Sequence, residues 1–526
     1  MRNGSIEFVL DGDPGARPDV GRAVSSDTGS TFSISDDGPA RRVRRTWLDT
    51  FDWRLYRAGL ALEQVGHPGR SELVLTGRDG ERLAVAQAGA ANGSDGRARW
   101  PALLGALPPG PLRELLEPVV GVRALAPVAT ATSQVRRQRV LNSDAKTVAR
   151  LEIDQMSVTY PAKAKAAPRL AVSAVRGYQA QASRLGAELA AAPGIRLGSG
   201  SALDAALAAA GIEPAPRAGD IQLNAGMPAA AAMAAILTGL LDAVEDNVRG
   251  TIRDIDTEFL HDLRVAVRRT RSALKLAGRA LPAELASRYG HEFKWLGDLT
   301  TPTRDLDVYL LGFEQMTAGL VGASSEDVSP FRHYLERTRT TAHRELARGL
   351  RSARFARLRR QWRAELASVR AVRKRPAVAD LAGRRIAVAQ RRALRAGQHI
   401  TAASPAGELH YLRKRCKELR YLLEMFGSLY DQEQRWQAVR ELKALQDCLG
   451  AFQDAEVQRE EIHAFADRML AERSAPAATL LAMGEIAADL AREQRKARME
   501  FDERFAAFAG PASQARLTAL TQAAAT

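Results

Sequence analysis

Cysteine is almost missing from this chain. Cys416 and Cys448 are the only two in 526 residues, and neither belongs to a CxxC pair. That argues against a disulfide-stapled secreted scaffold and for a reducing cytoplasm. Long apolar runs are missing too. The longest uncharged stretch, 221–241, carries Gln222, Asn224 and Pro228 among its alanines and glycines. It would be a poor membrane span and a good buried helix, with Pro228 near its start. The first ten residues lack the apolar core of a signal peptide. Aromatics make up only 6% of the chain. Acidic residues are scarce where bases are dense: 331–400 holds 20 Lys and Arg against 4 Asp and Glu, a surplus of 16 that exceeds the formal +15 of the whole chain.

What is present is therefore a large, basic, arginine-rich globular protein, long enough for more than one domain. Nucleic acid, an anionic membrane surface and an inorganic polyanion are all partners that such charge can attract. Arginine narrows the chemistry, because its planar fork meets phosphate oxygens in pairs. Single-strand nucleic-acid binders stack bases on aromatics set among their cations. The basic stretch has only Phe331, Tyr334, Phe355 and Trp362, so nucleic acid ranks behind an inorganic polyanion.

One device is written twice. His261, Arg264, Arg268 and Arg271 recur as His410, Arg413, Lys417 and Arg420, at an offset of 149 residues. The same offset carries Lys294 onto Lys443, Asp298 onto Asp447, Asp305 onto Asp454 and Asp307 onto Glu456. A fixed offset over such a span marks an internal duplication. At about 100° per residue, positions 0, +3, +7 and +10 lie within roughly 80° on a helix. Each copy thus predicts an amphipathic helix with a basic stripe, backed by Leu263, Ala266, Val267, Thr270 and Leu274, or by Leu412, Cys416, Leu419, Leu423 and Phe426. Four bases on one face repel one another unless something negative lies near. A solvated face with salt bridges is the ordinary explanation; repetition with the same geometry favours a ligand. The two histidines either donate to that ligand or orient an arginine. Asp305, Asp307, Asp454 and Glu456 are read as partners holding the arginines, in preference to metal ligands.

Along the chain, short β-like runs at 5–10, 46–49, 72–76, 148–154 and 170–175 alternate with turns, with helical pieces at 111–117 and 180–191. Residues 11–45 are expected to include a mobile loop. From 226 the pattern is helical, with periods ending and resuming at 300–303 and 449–452. The expected organisation is a barrel domain over 1–195, a linker over 196–225, a helical domain of two repeats over 226–510 and a tail over 511–526. The expected fold class is α+β multidomain: an antiparallel, tunnel-like β-barrel, then an all-α domain of two duplicated bundles.

At three motifs the resemblance becomes specific. They are the run from His261 to Arg271, the run Trp295-Leu-Gly-Asp leading to Arg304-Asp-Leu-Asp, and the run from His410 to Tyr421. Over 226–510 the chain resembles a CHAD domain, the conserved histidine α-helical domain. The resemblance implies binding of inorganic polyphosphate in a basic central cavity. The implied binding residues are His261, Arg264, Arg268, Arg271, Lys294, Arg304, His410, Arg413, Arg415, Lys417, Arg420 and Lys443.

Residues 1–190 resemble a CYTH domain, the triphosphate tunnel fold, chiefly through the run from Trp47 to Leu62. That family's Glu-x-Glu-x-Lys falls on Ser5, Glu7 and Val9; its Arg-x-Arg falls on Glu63 and Val65; its late Glu-x-Glu falls on Ala171 and Ser173. Glu7, Arg136, Arg137, Arg139, Glu152 and Asp154 remain as tunnel candidates, the three arginines equally readable as solvent-facing. Metal-assisted triphosphate hydrolysis needs clustered carboxylates and cations. No catalytic residue and no resident metal are therefore expected; Mg²⁺ or Mn²⁺ would matter only in an active barrel. The first expectation is a cytoplasmic polyphosphate-binding protein, free or on polyphosphate or storage-polymer granules. Its rivals are a triphosphatase in the barrel and a nucleic-acid binder.

Overall fold

The computed structural model describes residues 6–11, 32–67, 70–78, 80–87, 100–198, 200–214, 221–370 and 376–523. Ser5, most of the expected loop over 11–45 and the run 371–375, with its basic residues Arg373, Lys374 and Arg375, lie outside the described residues. The chain divides into two compact units, 1–217 and 218–526.

The first unit is built on an 11-stranded antiparallel sheet. Its strands are β1 (Ile6–Leu10), β2 (Ser33–Asp36), β3 (Arg41–Thr50), β4 (Leu60–His67), β5 (Arg70–Gly77), β6 (Arg82–Gln87), β7 (Leu125–Leu141), β8 (Thr147–Tyr160), β9 (Ala164–Lys165), β10 (Arg169–Ala174) and β11 (Ile195–Leu197). The order is β11-β1-β10-β8-β7-β3-β4-β5-β6, with β2 on β7 and β9 on β8. Among the described residues this path is open: β11 and β6 do not pair, so the expected barrel closure is not seen. Helices α1 (Arg54–Arg57), α2 (Pro111–Val120), α3 (Gln179–Ala191) and α4 (Ala202–Ala209) complete the unit. The run from Trp47 to Leu62 is a strand-to-helix corner. The Asp49 carboxylate accepts from the backbone N–H groups of Leu55 and Tyr56, both at 2.9 Å, which fixes α1 at its start.

The sequence signals understate two elements here, for physical reasons. The supposed linker over 196–225 contains α4, started by a reciprocal cap in which Ser201 and Asp204 satisfy each other's backbone donors. Leu203, Ala206 and Leu207 of α4 pack into a core with Trp47, Met156 and Val158. The 17-residue strand β7 lies outside the β-like runs that the sequence marks. Its residues are mostly Ala, Thr, Arg and Gln, so its apolar alternation is faint even though it lies between two neighbours.

The second unit is all helical: α5 (Ala229–Arg253), α6 (Thr257–Ala277), α7 (Ala283–Leu311), α8 (Phe313–Thr317), α9 (Ser325–Leu350), α10 (Ala353–Arg370), α11 (Val378–Gln398), α12 (Ala406–Met425), α13 (Gln432–Ala471), α14 (Ala477–Ala509) and α15 (Pro511–Ala523). The 149-residue offset holds at the level of elements. It carries the first residue of α5 onto that of α11, from 229 to 378, and that of α7 onto that of α13, from 283 to 432. A pair of backbone bonds exchanges under the same shift: Ala229 N donates to Pro376 O at 2.9 Å, and Val378 N donates to Met227 O at 2.8 Å. An approximate two-fold axis therefore passes beside Pro228 and Ala377, which bridge each other.

The expected breaks at 300–303 and 449–452 are absent; α7 runs through Pro302 and α13 through Gly450. The expected tail is helix α15, whose Leu517 and Leu520 are buried in the main core. It covers α11 as α10 covers α5. That core joins residues of both repeats, and a second one gathers Tyr309, Phe331, Ile462, Phe465 and Ile486. Among the described residues no helix is long and apolar enough to cross a membrane.

Candidate functional site

In the second unit, α6 and α12 present the two stripes. Leu263, Val267, Leu274 and Leu412, Leu419, Leu423 are buried behind them, so the basic faces turn away from the core as the spacing requires. The repeats then place partners at equivalent positions. Arg264 donates to the Thr301 hydroxyl at 2.7 Å and the Thr300 hydroxyl at 3.2 Å. Its counterpart Arg413 donates to Asp454 at 2.9 Å and passes beside Gly450, the counterpart of Thr301. Arg271 lies against Gly297, where a side chain would meet its guanidinium at 3.1 Å. Its counterpart Arg420 reaches Gln446, the counterpart of Gly297, at 3.3 Å. His261 lies in the field of Arg304; His410 bonds Gln453, the counterpart of Arg304.

The stripes meet at the axis. Arg268 and Lys417 are equivalent by the offset, and each feels the other's repeat. The Arg268 guanidinium sits over the Tyr421 ring of α12, 5.7 Å from its centroid. Burial pushes the Lys417 ammonium down to about 8, with Arg413, Arg268 and Arg420 adding to the depression and Asp454 opposing it. Burial, then Arg304, holds the His261 imidazole below its ordinary value. Burial likewise lowers Arg264. The Nη1 atom of Arg304 is buried without a hydrogen-bond partner. Cations here crowd beyond what the local acids neutralise.

Not every expected residue joins them. Arg415 points to another face of α12, stacked on Tyr411 at 4.7 Å and bonded to Glu418 at 2.8 Å; its position is about 140° round the helix from His410 by the helical repeat, outside the stripe. Lys294 is exposed and bonded to Asp298 at 2.6 Å, and Lys443 is exposed. Among the acids, Asp454 does hold an arginine of the stripe. Asp307 is buried and instead binds Arg339 at 2.6 Å, which also pairs with the exposed Asp254; Glu456 accepts from Gln453 at 3.4 Å. Trp295 lies under Arg354 at 4.2 Å. Thr300, Thr301, Tyr421, Gln446 and Gln453 escape the sequence reading. The offset itself could have found Gln446 and Gln453, since it maps Gly297 and Arg304 onto them.

In the first unit, one face of the sheet carries the tunnel candidates. Glu7, Ala171, Glu152 and Arg137 form a single cross-strand row. The charges there are paired off. Arg169 bonds Glu7, Arg137 bonds Glu152 at 3.0 Å, and Arg139 lies 3.5 Å from Asp37. Arg45 sits between Glu63 at 3.5 Å and Asp154 at 3.3 Å. Burial raises the Glu63 carboxyl above its ordinary range, against the pull of Arg45. Arg136 is separated from this set: it pairs with Ile153 and so lies on the opposite, apolar face.

With this geometry in place, the CHAD domain family model matches residues 235–463. Two solved structures are similar. The CHAD domain from the plant Ricinus communis shares 24% identity with a TM-score of 0.47, over 55% of this chain and 95% of that one. PptA from Streptomyces chartreusis shares 19% with a TM-score of 0.38, over 53% and 99%. No curated protein matches.

Proposed function

We propose, from the match of residues 235–463 to the CHAD domain family model, that this chain binds inorganic polyphosphate across the paired stripes of α6 and α12. The family is one associated with polyphosphate binding. The single observation that carries the reading is the meeting of Arg268 and Lys417 at the two-fold axis, with the Lys417 ammonium depressed to about 8. Folding has concentrated positive charge at a cost in stability, which a bound polyanion would relieve. A linear phosphate chain can satisfy cations of both repeats at once. It needs no general base, and its affinity comes from Coulomb attraction and counterion release.

The test is a titration of the full chain with polyphosphate, triphosphate and DNA at matched charge and two salt concentrations. Polyphosphate should bind most tightly and weaken with salt. Equal affinity for DNA would leave only diffuse charge as the explanation.

For the first unit we propose a triphosphate fold without effective catalysis. Glu7, Glu152 and Asp154 each have an arginine partner, and Ala171 stands beside Glu7 and Glu152 where a further carboxylate would complete a hard-metal shell.

A further inference from the structure

The two halves of the basic surface are equivalent in position and unequal in occupancy. Among the described residues, no carboxylate forms an ion pair with Arg264, Arg268, Arg271 or Arg304 of the first repeat; Asp305, the counterpart of Asp454, acts on Arg264 and Arg304 through its field without bonding either. Their contacts are the threonine hydroxyls of α7, the Tyr421 ring and Gly297. In the second repeat Asp454 holds Arg413 at 2.9 Å, and Glu424 holds Arg420 at 2.6 Å. Glu424 also reaches across to Arg269 of α6 at 3.1 Å. The difference is partly written in the sequence. Arg304 of the first repeat is replaced by neutral Gln453 in the second. Glu424 has Lys275 as its counterpart under the offset, so the acid exists in one repeat only.

Resting on the polyphosphate reading, we propose that the first-repeat stripe is the open anchor and the second is masked by Asp454 and Glu424, so that a phosphate chain engages the second stripe only when it is long enough to span both and displace the two carboxylates. A short anion occupies the anchor alone. It lacks further phosphates with which to displace the two carboxylates, each of which also repels it. A long chain seated on the anchor brings its remaining phosphates to Arg413, Lys417 and Arg420 at high effective concentration. It can therefore exchange carboxylate–arginine bonds for phosphate–arginine bonds of the same charge-assisted kind. The masking acids are surface pairs, so the barrier they set is modest and adjustable.

The experiment compares triphosphate with long-chain polyphosphate on the full chain, wild type against Asp454→Asn with Glu424→Gln. These near-isosteric changes remove the mask and keep the shape. Long-chain affinity should rise roughly two- to fivefold for each acid removed, more than triphosphate affinity does. Conversely, Arg264→Ala with Arg268→Ala should remove triphosphate binding, whereas Arg413→Ala with Arg420→Ala should cost long-chain affinity far more than triphosphate affinity. Equal sensitivity of triphosphate to both arginine pairs, or no gain in long-chain affinity on unmasking, would overturn the asymmetry. If the wild type binds neither phosphate, the underlying reading has failed instead. Should the unmasked variant not fold, the two arginine pairs still decide.

Discussion

At the scale of the residue, Lys417 has the clearest consequence. Its pKa in the fold is about 8 against an ordinary 10.5. Between those values the folded chain has released a proton that the unfolded chain still holds, so its contribution to stability rises with pH across that window. Below about 8 both states are protonated, and the full penalty of crowding remains. A bound polyanion favours the charged form and raises the pKa again. Binding above pH 8 must then take up a proton, and affinity should fall with rising pH, approaching about tenfold per pH unit. Lys417→Arg stays charged and should flatten that fall. Affinity measured between about pH 7 and 9.5 checks this; identical slopes for the two proteins would remove Lys417 from the site.

At the scale of the element, the duplication is legible because helical spacing and a constant offset are both arithmetic. The stripes, the apolar backs of α6 and α12 and the starts of α11 and α13 all follow from it. The helix breaks misplaced at Pro302 and Gly450 show where local signals lose to packing. Thr300 and Thr301 bond back to the Gly297 carbonyl, and α7 continues through the proline. Arg415 sits among the bases of α12 in sequence and yet outside the stripe, because angle decides membership. The acids that engage Arg413 and Arg420 lie 41 and 4 residues away, and which acid meets which arginine is set by tertiary placement.

One packing prediction belongs at this scale. Gly250 in α5 faces Phe259 in α6 so closely that an added Cβ would lie 2.2 Å from a ring carbon. Alanine gains about 1 kcal/mol of helix propensity over glycine. Phe259 is only 5% exposed and has little room to withdraw, so the clash should win. Gly250→Ala should destabilise the second unit by about 1–3 kcal/mol, read as a lower Tm. An unchanged or raised Tm would show that the helix pair can part without loss.

At the scale of the whole molecule, the chain divides into compact units at 1–217 and 218–526. A fragment of 218–526 should keep nearly all the polyphosphate affinity of the full chain. Affinity residing in 1–217 would refute the placement. The 1–217 fragment should release little phosphate from triphosphate with Mg²⁺ or Mn²⁺. Rapid release abolished by Glu7→Gln would contradict the reading of the sheet face.

The central claim is that the duplicated stripes, and not general positive charge, bind the polyanion. Its most direct measurement is polyphosphate affinity after Arg264→Ala with Arg413→Ala, against a control of Arg357→Ala with Arg360→Ala on α10. All four positions keep a helical backbone when changed to alanine, and circular dichroism confirms the fold of each variant. Removing each charge-assisted arginine–phosphate bond should weaken binding by on the order of 1–3 kcal/mol, and the slope of log affinity against log salt should become shallower. The control pair should weaken it far less. Equal weakening by the two pairs would contradict the account.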